Sequence, residues 1–80
     1  ILNGEYEVIE AEIIETSELI NKELKNSNLP DEIRIGAVLR EDTVIIPRSN
    51  FIFKKDDRVV FLAKKDSISV VENIFRISSI

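Results

Sequence analysis

The 80-residue chain has no cysteine, no histidine, no methionine and no tryptophan, and only two glycines and two prolines. Without cysteine there is no disulfide, no thiolate zinc site and no thiol nucleophile. A reducing compartment is consistent with that composition but does not follow from it. Without histidine the commonest general base and the commonest transition-metal ligand are both missing. Ser17, Ser49, Ser67, Ser69, Ser78 and Ser79 therefore have no imidazole to activate them, and the chain is not expected to be an enzyme. A formal charge of −4 argues against a nucleic-acid partner. The longest apolar run, Val59–Ala63, is far short of the ~20 residues a membrane-spanning helix needs. What remains is a chain rich in isoleucine and valine, long enough for one domain near the lower size limit of a self-sufficient core. It begins at Ile1 rather than methionine and reads as a piece of a longer protein.

Residues 5–15, EYEVIEAEIIE, interleave glutamate with apolar side chains and predict a strand. Ser17 suits a helix N-cap, Glu18 suits the positive helix end, and Leu19, Ile20 and Leu24 form an apolar stripe. These predict a helix near 18–25, ended by Asn26-Ser27-Asn28 and Pro30. Ile33–Leu39 and Val44–Pro47 read as two strands joined at Arg40-Glu41-Asp42-Thr43, where Asp42 tolerates the positive φ of a tight turn. Pro47 cannot donate to a ladder and belongs at a strand end or edge. The charged run Lys54–Arg58 reads as a solvated turn before a strand, RVVFLAK. A closing helix, DSISVVENIFRI, has Asp66 or Ser67 as cap and Ile68, Val71, Ile74 and Phe75 at three- and four-residue spacing. The order βαβββα makes an α+β sandwich, two helices packed on an antiparallel-rich sheet, in a single domain spanning 1–80.

Two groups of side chains are candidates for binding. Strict alternation along the hairpin puts Ile33, Ile35, Ala37 and Leu39 on a core face and Arg34, Gly36, Val38 and Arg40 on the other. At ~3.3 Å per residue the two arginines stand about 20 Å apart, too far to clamp one phosphate, but a two-fold axis could bring equivalent arginines together on a ligand. Guanidinium donors match phosphate oxygens, and Gly36 leaves room for close approach. The competing reading is a pair of arginines that are solvated or paired with glutamates. Glu10 and Glu12 share one side of the first strand and are weak candidates for calcium or magnesium, against a solvated strand face. Phe51, Phe53, Val70 and Ile77 add apolar surface outside the main stripe, which a homodimer would cover.

The stretch IRIGAVLREDTVIIPRSNFIFKKDDRVVFLAKKDSISVVENIF resembles the C-terminal regulatory domain of potassium-conductance regulators, the RCK-C or TrkA-C domain. The resembling pattern is an apolar strand ending in arginine, a turn, a strand ending near proline, and an Asp-containing turn before another strand. TSELINKELKNSNLP is similar to the family's helix followed by Leu-Pro, so the likeness runs over roughly residues 6–77. Asn21 and Asp56 stand where the family often has glycine, and both residue types can adopt left-handed backbone. The resemblance implies a dimer, attached to a Rossmann domain that would hold any NAD(H) or ATP. No Gly-x-Gly-x-x-Gly occurs in this stretch. It further implies a cytoplasmic position beside a membrane-embedded potassium channel or transporter, which a small anionic effector gates by shifting the balance between two arrangements. Arg40, Ile45 and Pro47 match the family's binding region and, with Arg34, make the candidate ligand set. Thr43–Ile46 lacks the asparagine of family members that bind cyclic di-AMP. The alternative is a ligand-free dimerisation module linking Rossmann-type nucleotide-binding domains.

Overall fold

β1 (Tyr6–Glu12), β2 (Ile33–Arg40), β3 (Thr43–Ile45) and β4 (Arg58–Lys64) form one antiparallel sheet in the order β1-β4-β2-β3, and α1 (Ile68–Phe75) follows β4. The computed structural model describes residues 5–75. The two most apolar strands, β2 and β4, are central, where each is flanked by neighbours. The mixed α+β class, the four strands and the closing helix are those the sequence predicts. Arg76 and Ile77, expected at the end of that helix, lie outside the described residues.

One face of the sheet carries the core. Ala11 pairs with Val59, Ile9 with Phe61, Ile35 with Phe61 and Ile33 with Ala63. Onto this face fold Ile13, Leu19 and Phe53, with Val71 and Phe75 from α1. The Phe61 and Phe75 rings stack at 4.7 Å. An eight-residue helix is not stable alone, so α1 depends on burying Val71 and Phe75, at about 1.5–3 kcal/mol for each side chain. Among the described residues neither Asp66 nor Ser67 makes a capping bond. The helix instead grows from a 3-10 turn, Lys65–Ser67, entered without a side-chain cap. Phe53, expected among the surplus apolar groups, is fully buried in the core, with Phe51 edge-on against it at 5.3 Å.

The helix expected near 18–25 is not formed. Its place is taken by successive turns and one 3-10 turn, Leu24–Asn26. The main chain here pairs across to the segment after the hairpin. Asn21 N–H donates to Phe53 O at 2.9 Å, Leu24 N–H to Phe51 O at 2.8 Å and Lys25 N–H to Ser49 O at 2.9 Å. These long-range bonds replace the i to i−4 bonds of a helix, and Asn21 at φ 65° breaks helical geometry outright. Ser17 still behaves as a cap, accepting Leu19 N–H at 3.2 Å, but it closes a turn rather than a helix.

The hairpin departs from strict alternation at one point. β2 and β4 slip register between Ile35 and Ala37, leaving Gly36 as the extra residue of a bulge. Beyond it the faces exchange. Val38, opposite Val59, is fully buried, while Ala37 and Leu39, opposite Val60 and Arg58, turn to the other side. Arg34 and Arg40 therefore lie on opposite faces of the sheet, not on one. The turn itself follows expectation and goes further, since Glu41 and Asp42 both have positive φ, 47° and 66°. That is the mirror-image two-residue turn whose twist matches the flanking strands.

The second face has no covering layer among the described residues. Val8, Leu62, Val60, Ala37, Leu39 and Val44 run across its middle, Val8 and Val44 being 63% and 64% exposed. Arg34, Lys64 and the Glu10–Arg58 ion pair, at 2.6 Å, stand around them.

Candidate functional site

Arg40 ends β2 on the core side, because the bulge has turned it there along with Val38. Its Nε donates to Asp57 Oδ1 at 2.8 Å and its Nη2 to Asp57 Oδ2 at 2.7 Å, a two-pronged pairing. Nη2 also donates to Ile52 O at 2.9 Å, and the guanidinium lies 5.0 Å from the Phe51 ring centre. The Asp57 hydrogen bond holds the Arg40 pKa above its ordinary value. Desolvation opposes this, and the charges of Asp57 and Glu41 add to it. Arg40 is therefore a fixed cation with most of its donors in use.

Asp57 is the residue that sequence reasoning missed. The run Lys54–Arg58 is not a solvated turn throughout, since Asp57 is 1% exposed. Its carboxylate takes a third bond from Lys54 N–H at 2.8 Å, and its carbonyl accepts Ile13 N–H at 2.8 Å. Asp56, at φ 72°, makes the turn that aims Asp57 inward. One buried carboxylate thus ties the end of β1, the hairpin and the loop before β4 together. A signal for it existed in the sequence. The resembling pattern couples a strand ending in arginine with an Asp-containing turn, as opposite charges that meet would require.

The other candidates are dispersed. Ile45 is half-buried, facing the core beside Val38, and Pro47 is half-buried just after β3. Arg34 is exposed on the opposite face, and no carboxylate or hydrogen-bond acceptor among the described residues partners its guanidinium. The structure thus brings Arg40 to Asp57, and does not gather Arg34, Arg40, Ile45 and Pro47 into one pocket of a single copy. Glu10 and Glu12 do share the bare face. Glu10 holds Arg58, and Glu12 lies opposite Arg58 in register. Among the described residues no three carboxylates gather as metal ligands would, and no helix is long and apolar enough to cross a membrane.

Residues 8–76 match the family model of the TrkA-C domain. The chain is 42% identical over 78 residues to the Trk system potassium uptake protein TrkA of Azorhizobium caulinodans, covering 98% of this chain and 17% of that protein. It is 36% identical over 64 residues to the TrkA homologue of Archaeoglobus fulgidus, covering 80% of this chain and 15% of that protein. The chain thus spans about a sixth of the length of these relatives. Among solved structures, one described as an RCK domain with cda superposes with a TM-score of 0.69 over 84% of this chain and 96% of that one, at 17% identity. That likeness is one of fold. Sheet order, closing helix and family match agree, and the chain belongs to the TrkA-C domain family of potassium transport regulators.

Proposed function

We propose that this domain is the cytoplasmic regulatory module of a potassium uptake assembly, acting on a membrane-embedded channel or transporter subunit through the longer protein that carries it. Its part is to pair with a second copy, and an anionic effector then biases the arrangement of the pair. The observation that carries the pairing is the uncovered sheet face. Its apolar centre from Val8 to Val44, with charges only around it, is the pattern of a surface that is buried in the working assembly. Any NAD(H) or ATP belongs to a Rossmann domain elsewhere in the longer protein.

The opposite, core side of the hairpin supports the ligand-free reading for part of the candidate set. Arg40 is held by Asp57 and Ile45 packs against the core, which supports leaving both out of the effector contact. Sensing then depends on Arg34. Sedimentation of the 80-residue chain tests the pairing. A dimer is expected, and Val8→Glu or Val44→Glu, both at exposed positions, should return it to monomer without loss of helical signal. A wild-type chain that stays monomeric at millimolar concentration overturns the pairing. Potassium uptake by cells carrying the same substitutions in the longer protein tests the regulation, and unchanged uptake overturns it.

A further inference from the structure

The first half of β2 has an open edge. β3 pairs only with Val38–Arg40. Continuing that register would set Pro47 opposite Gly36, and proline has no N–H to donate, so the ladder stops. Among the described residues no strand lies on this side of Ile33–Ala37. Ile33 N–H turns back to Pro30 O at 3.0 Å, while Lys64 N–H reaches Glu32 O on the β4 side. Main-chain groups alternate in direction along an antiparallel strand. Ile35, two residues on from Ile33, therefore points its N–H and C=O outward to the open edge.

Along this edge runs a groove of about 340 Å³. Ile33, Arg34 and Ile35 all line it. Successive strand side chains point to opposite faces, so only a groove at the strand's edge can touch all three. Its far wall is the loop containing Leu24, Lys25 and Leu29. Among the described residues two cations, Lys25 and Arg34, border it, and no carboxylate lines it. Among the described residues Lys25 has only a 3.9 Å approach to Glu23, on the exposed surface. An unpaired strand edge, apolar side chains on the facing wall and two positive charges thus lie together in an otherwise acidic chain.

We infer that this groove receives an extended, acidic segment of a partner polypeptide, which adds as a strand to the β2 edge. Its main chain pairs with Ile35, its apolar side chains meet Leu24 and Leu29, and its carboxylates face Arg34 and Lys25. The inference rests on the reading of Arg34 as the arginine that meets an anionic partner, and names that partner as a polypeptide. A small phosphate would engage the two cations but leave the Ile35 main chain and the leucines unused.

The test is selection of a random peptide library displayed on phage against the 80-residue chain, followed by titration of the enriched peptides. In parallel, ATP and inorganic phosphate are titrated while amide resonances are followed. Enriched peptides should alternate acidic and apolar residues and bind at least tenfold more weakly to Arg34→Glu and Lys25→Glu. Both positions are exposed, and the variants' fold is checked by circular dichroism. The Ile35 amide should gain exchange protection when peptide binds. No enrichment, or enriched peptides indifferent to both substitutions, overturns the inference. If ATP or phosphate shifts Arg34 while no peptide is enriched, the strand-addition inference falls and the anion reading stands. If neither peptide nor small anion perturbs Arg34, both fall.

Discussion

Arg40 and Asp57 are unequal partners, and the inequality is measurable. Asp57 is 1% exposed at its side chain and Arg40 32%. If Arg40 is replaced by methionine, the carboxylate loses its bonds at 2.8 and 2.7 Å and keeps only Lys54 N–H. It cannot move to water, because that remaining bond and the Asp56 turn hold it inward. An uncompensated buried charge costs about 3–5 kcal/mol, and partial access of solvent where the guanidinium stood places the expectation at about 3 kcal/mol. If Asp57 is replaced by asparagine, Lys54 N–H can still be accepted and Arg40 can swing into solvent, so the cost is about 1–2 kcal/mol. A domain of this size has roughly 4–12 kcal/mol in total, so the first variant removes a large share. Replacing both by apolar residues, Arg40→Met with Asp57→Leu, removes the buried charge altogether and should recover part of the loss. Urea denaturation of the wild type, both single variants and the Arg40→Met/Asp57→Asn double variant closes a cycle, with a coupling of about 1–3 kcal/mol expected. If Arg40→Met lies within 0.5 kcal/mol of wild type, or Asp57→Asn costs as much as Arg40→Met, the reasoning is wrong.

The hairpin turn places Glu41 and Asp42 in left-handed backbone, which costs a non-glycine residue about 1–2 kcal/mol. Replacing the pair by Asn-Gly should raise the midpoint of thermal unfolding, by about 1 kcal/mol in stability. At Asn21, with φ 65°, alanine should cost about 1 kcal/mol while glycine should be close to neutral in the same melt. At Gly36 an added Cβ meets only Val60 O at 3.6 Å, an ordinary contact, so Gly36→Ala should stay within about 0.5 kcal/mol of wild type by urea denaturation.

The elements most legible in the sequence are those fixed by local chemistry. β4 reads from RVVFLAK because every other side chain of Val59, Phe61 and Ala63 is apolar and buried. α1 reads from the spacing of Val71 and Phe75. Asn21 and Asp56, singled out as residues able to replace glycine, both have positive φ. The segment 18–25 misleads because its local signals are sound. Ser17 does cap a turn, and the apolar stripe is real, since Leu19 is buried and Ile20 and Leu24 pack against the core. What local signals cannot report is that the main chain of this segment finds acceptors at Ser49, Phe51 and Phe53, 24 to 32 residues away.

The candidate site was harder to read than the fold, and one glycine accounts for most of the difference. Period-two alternation assigns Arg34 and Arg40 to one face because six residues separate them. The bulge at Gly36 adds one residue to β2 without adding one to β4, so every position after it changes face. Val38 moves from the surface into the core, and Arg40 moves to the side where Asp57 is buried. A pair of arginines that seemed to share a surface becomes two separate groups. Arg40 is a cation paired with Asp57 and holds the hairpin to the loop before β4. Arg34 stays exposed beside an edge that β3 cannot cover because of Pro47. Two features that sequence patterning treats as minor breaks in a hairpin, the bulge at position 36 and Pro47, therefore decide which arginine is structural and which is free to bind.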